Sequence, residues 1–231
     1  WASRPGRAYQ LAEDVDLLLS IIPFEKEWYA ARVPNLRVEF VGHPIVERFQ
    51  NSKFKIQASE TTPTVLLLPG SRKRELQRHL PVMVEATKMI QTKQPNVRAK
   101  MVLPNHALGS QAKSLGVPDN LELEVGGLPE ALEQATIAIA STGTVTLECA
   151  YFGVPAVAIY KASWSDYFVA KQIVTVKHLA MPNLLANETI YPELIQGAAT
   201  GETIARAALE LLSNAKRREE VKAKLAQVVE S

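Results

Sequence analysis

The chain has 231 residues, with 26 Lys and Arg against 24 Asp and Glu, a net charge of +2, and 47% hydrophobic residues. That length suits one large α/β domain, or one domain plus part of another, and the hydrophobic content suits a packed core. The near balance of charge supports neither an electrostatic nucleic-acid binder nor an acidic tail. A lone cysteine, Cys149, excludes an internal disulfide, fits a reducing compartment, and reads as packing in its apolar surroundings. No stretch reaches the ~20 apolar residues that span a bilayer. No signal peptide is visible, and because residue 1 is Trp, the expectation is a fragment or an excised domain.

Taken in order, residues 1–10 are polar and basic, with Arg4, Pro5, Gly6 and Arg7, and lead into a helix over 7–15. The apolar run 16–22, stopped by Pro23, reads as a buried strand. A short helix over 25–32 and a strand over 37–41, closed by Gly42-His43-Pro44, complete a β-α-β ending. Residues 45–63 turn polar, with Asn51, Ser52, Ser59, Thr61, Thr62 and Pro63, and a domain boundary is expected there. The expected division is 1–45 as one part, 46–63 as a linker and 64–231 as a second domain.

In that second domain, strands are predicted over 65–68, 98–103, 121–125, 136–140 and 155–160. Helices are predicted over 75–92, 107–115 and 128–134. From Trp164 the pattern is helical, broken at Met181-Pro182-Asn183, and it closes with amphipathic helices over 201–212 and 214–229. Strands alternating with helices at this spacing imply a parallel sheet covered on both faces.

Ligands of open α/β sheets bind beyond the carboxyl ends of the strands. Three turns are expected on that edge: Gly70-Ser71-Arg72, Gly126-Gly127 and Ser141-Thr142-Gly143-Thr144. The last is small, hydroxylated and followed by a helix. A helix start presents unpaired N–H groups and the positive end of the macrodipole, which favours an anion. Glu148, one turn further in, either accepts hydrogen bonds from a ribose diol or lies on a solvated face. Arg72 can grip phosphate oxygens bidentately, although with Lys73, Arg74 and Arg78 it also fits a solvated basic face. Asn183 is either an amide for sugar hydroxyls or a helix cap. Lys161, after the fifth strand, is placed to reach the same edge. Trp164, Tyr167 and Phe168 are base-stacking candidates or core. His43, His79, His106 and His178 have no metal-ligand spacing, and no zinc-protease, Walker or Gly-X-Ser-X-Gly pattern occurs.

Together these motifs carry a resemblance. The run Leu67-Leu68-Pro69-Gly70-Ser71-Arg72 with Glu75 and Leu80-Pro81 is followed by Ser141-Thr142-Gly143-Thr144 with Leu147-Glu148. Met181-Pro182-Asn183-Leu184-Leu185-Ala186 comes next. With Arg4-Pro5-Gly6-Arg7, Ile22-Pro23-Phe24-Glu25 and Val41-Gly42-His43-Pro44, this order resembles the lipid-A-disaccharide synthase family over nearly the whole chain. Thr142 stands where the family commonly has Ser, and Met181 where Leu is common.

The resemblance implies a GT-B glycosyltransferase fold of two Rossmann-like domains. The chain then holds the donor-binding domain and the tail of the acceptor-side one, and the family's last helix is cut short. The implied reaction moves 2,3-diacylglucosamine from UDP to 2,3-diacylglucosamine 1-phosphate (lipid X) at the cytoplasmic face of a bacterial inner membrane. It implies no cofactor, no metal and no nucleic acid, and leaves the oligomeric state open. Carried over, Gly70, Ser71 and Arg72 meet the donor diphosphate. Ser141, Thr142, Gly143 and Thr144 cradle phosphate, Glu148 holds the ribose, and Asn183 lies near the donor. The general base stays unassigned, with Glu25 a poor candidate, so the chain is expected to bind donor without transferring sugar. Another GT-B transferase, a UDP-sugar epimerase and a non-catalytic UDP-binding module remain as alternatives.

Overall fold

The computed structural model describes residues 5–50, 62–163, 167 and 176–230. Most of the expected linker, and Trp164 and Phe168, lie outside the described residues. The described residues fall into two compact units, one holding 5–50 with 167 and 176–177, the other 62–163 with 178–230.

The smaller unit runs α1 (Arg7–Asp14), β1 (Leu17–Ser20), α2 (Glu25–Ala30), β2 (Arg37–Phe40) and α3 (Pro44–Gln50). β1 and β2 pair in parallel, from Leu17 opposite Arg37 to Ser20 opposite Phe40. Its core is Ala8, Tyr29, Val33, Leu36 and Val38, with Leu11, Leu18 and Trp28 against it. The expectation that β1 is wholly buried fails for Leu17 and Leu19, which are 41% and 57% exposed. Side chains alternate along a strand, so Leu18 meets the core and its two neighbours face away from it. The expected boundary also begins with a helix. Pro44 opens α3 at a position where its missing N–H costs nothing, and Ile45 and Phe49, one turn apart, are both buried.

The larger unit runs β3 (Thr64–Leu68), α4 (Lys73–Lys93), β4 (Arg98–Leu103), α5 (His106–Ser114), β5 (Glu122–Val125), α6 (Leu128–Gln134) and β6 (Ile137–Ser141). It continues with α7 (Thr144–Tyr151), β7 (Ala156–Tyr160), α8 (Met181–Ala186), β8 (Glu193–Ile195), a 3-10 turn (Gln196–Ala198), α9 (Gly201–Ser213) and α10 (Ala215–Glu230). The six strands form one parallel sheet in the order β5-β4-β3-β6-β7-β8. In this unit's own strand count that is 3-2-1-4-5-6, the doubly wound order, with its reversal between β3 and β6.

Central strands covered on both faces should be apolar throughout, and they are: Leu66, Leu67, Ile137, Ala138, Ile139, Val157 and Ala158 are all inaccessible. On one face, Leu76, Leu80, Met83 and Ile90 of α4 join Ile204, Ala208 and Leu211 of α9 over Val65, Met101, Ile139 and Val157. Gly201 lets the start of α9 close onto α4, because a Cβ there would collide with the Glu85 side chain. α7 packs against α8 and α10. Among the described residues no helix is long and apolar enough to cross a membrane.

Three details differ from the sequence expectation. β6 ends one residue later, so Ser141 is strand rather than turn. Met181-Pro182-Asn183 begins α8 instead of interrupting a helix, with Pro182 in the first turn. β8 was not anticipated, since it has three residues and Pro192 immediately before it. The carbonyl of Pro192 nevertheless accepts from Ala158 N–H at 2.9 Å and sets the strand pairing.

Candidate functional site

The loops after β3 and β6 emerge side by side at the carboxyl edge. These strands are neighbours, in register from Val65 opposite Ile137 to Leu68 opposite Ala140, about 4.8 Å apart. They flank the point where the strand order reverses, the place such sheets use for ligands. Each loop turns on a glycine with positive φ, Gly70 at 116° and Gly143 at 119°, a region that strains any residue with a Cβ.

In the first loop, Gly70 and Ser71 lead to Arg72, the extended N-cap residue of α4. Glu75 reaches back over this turn. It accepts from Ser71 N–H at 3.2 Å and from Arg72 Nη1 at 2.8 Å, and a Cβ on Gly70 would meet its carboxylate. The carboxylate folds back over the helix start as in a capping box, but onto the amide of Ser71, the residue before the N-cap. Arg72 remains 80% exposed and Glu75 22%, so the guanidinium is anchored at one edge and open to solvent.

In the second loop, Ser141 is buried at the end of β6, Thr142 and Gly143 are half-buried and Thr144 is exposed. Thr142 N–H donates to the Ile159 carbonyl at 3.0 Å, continuing the sheet. Gly143 is the N-cap residue of α7 and has no side chain to satisfy the first amides. No side chain caps this helix start, Thr146 N–H donates to the Gly143 carbonyl at 3.1 Å, and the turn carries the positive end of the helix macrodipole. Ser141, expected in the turn, is instead the buried last residue of β6. Glu148 lies half-buried in the second turn of α7.

Thr146, which the sequence reading passed over, locks this turn. It is inaccessible, its hydroxyl donates to the Gly143 carbonyl at 2.6 Å, and it accepts from Met181 N–H at 3.0 Å. Gly143 also bridges to Ala180 in parallel, so the start of α8 runs beside the turn.

Asn183 does not present its amide to this edge. It is fully buried, its Nδ2 donates to the Tyr191 carbonyl and to Glu193 Oε1, both at 2.8 Å, and its Oδ1 accepts from Ile190 N–H at 2.9 Å and Tyr191 N–H at 2.8 Å. Two donors and two lone pairs are all used. The expected sugar contact through this amide is replaced by a tie between α8 and β8. Glu193 completes it by accepting from Leu179 N–H at 2.9 Å and Ala180 N–H at 3.1 Å.

Lys161 is likewise turned inward. Its Nζ donates to the carbonyls of Gln196 at 3.1 Å and Ala199 at 3.0 Å. The Gly126-Gly127 turn shares the carboxyl edge but follows β5, two strands from β3, so it stands apart from the other two turns. Glu25, in the smaller unit, accepts from the Ser20 hydroxyl at 2.6 Å. Burial keeps the Cys149 thiol protonated.

Comparison with known proteins places the chain in a family. The family model described as lipid-A-disaccharide synthetase matches residues 1–231. A lipid-A-disaccharide synthase of Syntrophus aciditrophicus is 34% identical over 99% of this chain and 61% of its own length. One from Solibacter usitatus is 35% identical over 100% of this chain and 61% of its own. The chain thus spans about three fifths of the length of these curated relatives. Among solved structures, the S. aureus MnaA-UDP co-structure superposes with a TM-score of 0.58 at 12% identity, covering 94% of this chain and 55% of that one. The GtfA/B complex superposes at 0.56 and 10% identity, covering 98% and 44%. At such identities these two speak for the fold alone, a GT-B one. A match that runs the whole length of the chain, with relatives of this closeness, makes the chain a member of the lipid-A-disaccharide synthetase family.

Proposed function

We propose that this chain is the donor-binding part of a glycosyltransferase that moves 2,3-diacylglucosamine from UDP to lipid X and releases UDP. Family membership supports the reaction. The observation that carries the site is the pair of glycine turns flanking the reversal of strand order, one opening a helix and the other presenting Arg72. The leaving group is a nucleoside diphosphate, so its departure builds negative charge. Amides at the start of α7 and the Arg72 guanidinium are groups of the right sign to stabilise it. Thr142, Gly143 and Thr144 contribute backbone and hydroxyl donors, Gly70 and Ser71 shape the facing turn, and Glu148 takes the ribose diol. The attacking group is the acceptor's 6-hydroxyl, deprotonated by a base that the described residues do not identify. We assign the protein to the cytoplasmic face of the membrane as a peripheral enzyme, since both substrates carry acyl chains.

Calorimetry with UDP tests the site. The 231-residue chain should bind UDP, and Arg72→Ala should lose about 1.5 kcal/mol, the lower end for hydrogen bonds to charged groups. The lower end is expected because Arg72 is 80% exposed and screened by solvent. Unchanged affinity would remove Arg72 from the site, and no binding by the parent chain would remove the site itself.

A further inference from the structure

His79 is a buried titratable group that the proposed chemistry does not use. It lies on α4, two turns in from Arg72, and is wholly inaccessible. Its ring joins two loops that are not neighbours in the sheet. Nδ1 lies 2.7 Å from the Pro69 carbonyl, after β3, and Nε2 lies 3.0 Å from Lys161 N, after β7. β6 runs between those two strands. An amide can only donate, so Nε2 accepts from Lys161, and Nδ1 therefore carries the proton and donates to Pro69. Both bonds require the neutral ring in this one tautomer.

The connection continues beyond the ring. Lys161 Nζ holds the carbonyls of Gln196 and Ala199, and Ala162 N–H donates to Gln196 Oε1 at 2.6 Å. Pro69 precedes Gly70 and Ser71 directly, so whatever fixes the Pro69 carbonyl fixes where that glycine turn starts. Glu75 holds the outer side of the same turn and His79 the inner side.

We infer that His79 is a positioning residue for the diphosphate turn, holding Pro69-Gly70-Ser71 in its binding geometry by pinning the Pro69 carbonyl to the loop after β7. The inference rests on the proposed nucleotide site. It concerns geometry, since His79 touches no substrate.

The pH behaviour follows from the bonding. Protonating Nε2 puts two donors face to face at Lys161 and breaks the bridge. The charged groups facing the ring are Glu75 and Arg78 on its own helix and Lys161 from the loop after β7. Burial dominates and lowers the imidazole pKa below its ordinary value. The bridge is therefore intact at neutral pH and lost only as pH falls through that lowered value.

Three forms of the 231-residue chain test this: parent, His79→Gln and His79→Leu. A glutamine amide can accept from Lys161 and donate to Pro69 through one edge, and it does not titrate. Leucine can do neither. At pH 7.5, His79→Leu should bind UDP about ten-fold more weakly, the equivalent of one lost hydrogen bond's positioning. It should bind uridine, which lacks the diphosphate, as the parent does in an NMR titration. His79→Gln should bind UDP within about two-fold of parent. As pH falls below about 6.5, the ordinary imidazole value, the affinity of the parent should fall more steeply than that of His79→Gln, which shares the titration of UDP itself but not that of the ring. Amide exchange at Gly70 and Ser71 without nucleotide should accelerate in His79→Leu and not in His79→Gln.

Equal UDP affinity for parent and His79→Leu would overturn the inference and leave the site standing. So would equal losses for UDP and uridine, which describe general loosening, and so would unchanged exchange at Gly70 and Ser71. Failure of the parent to bind UDP would instead overturn the nucleotide site, and this inference with it.

Discussion

At the scale of single residues, the site divides into groups that face outward and groups that hold them. Arg72 and Thr144 are exposed, whereas Ser141, Thr146, His79 and Asn183 are buried. Glu148 stands between these classes, half-buried on α7, and its role separates nucleoside recognition from simple capping. If its carboxylate accepts from a ribose diol, Glu148→Gln should weaken UDP by about 1.5 kcal/mol or more, as expected for a charged acceptor, while binding pyrophosphate almost as the parent does. Paired calorimetric titrations with the two ligands decide it. Equal losses would point to damage in α7, and no loss for either would place Glu148 outside the site. The outward groups were legible in the sequence because a glycine turn and an arginine announce themselves locally. The holding groups were not. His79 and Thr146 act through partners 82 and 35 residues away, and nothing near them in the chain marks those partners.

At the scale of elements, apolar runs made β3, β6 and β7 readable, since strands buried on both faces carry no polar alternation. β8 escaped because three half-buried residues, one of them the charged Glu193, give no such run. Its place depends on α8. Asn183 satisfies Ile190 N–H, Tyr191 N–H and the Tyr191 carbonyl, and Glu193 caps the approach to α8. The proline and asparagine that suggested a ligand contact thus build a helix start and a loop brace. Asn183→Ala would strip the Asn183 partner from the buried Tyr191 N–H and carbonyl, while Ile190 N–H would keep the Glu188 carbonyl at 3.1 Å. Leaving a buried polar group unsatisfied costs about 1–3 kcal/mol, so urea unfolding should show a loss of about 2 kcal/mol or more. UDP affinity of the molecules that remain folded should change little. A mild stability loss with a collapse of UDP affinity would restore the sugar contact and refute the brace.

At the scale of the whole molecule, the two units differ in what they bury. Among the described residues, the larger one carries a core cluster of 23 buried side chains shared by α4, α5, α9 and the sheet, and the smaller a cluster of five beside a two-stranded ribbon. A two-stranded pair is marginal by itself, so β1 and β2 should open at lower free energy than β3, β6 and β7. The proposed nucleotide site is built wholly from the larger unit, and a ligand stabilises what it binds by RT ln(1 + [L]/Kd), about 2.7 kcal/mol at a hundred-fold excess over Kd. Amide exchange should therefore slow by roughly 100-fold in β3, β6 and β7 at that UDP concentration, where exchange proceeds by global opening of the unit. The Thr142 amide, bonded to Ile159 at the base of the turn, should be among those protected. Amides of β1 and β2 should exchange as before if their opening is independent of the larger sheet. Equal protection in both units would mean that they open as one, and protection confined to β1 and β2 would move the nucleotide site out of the larger sheet altogether.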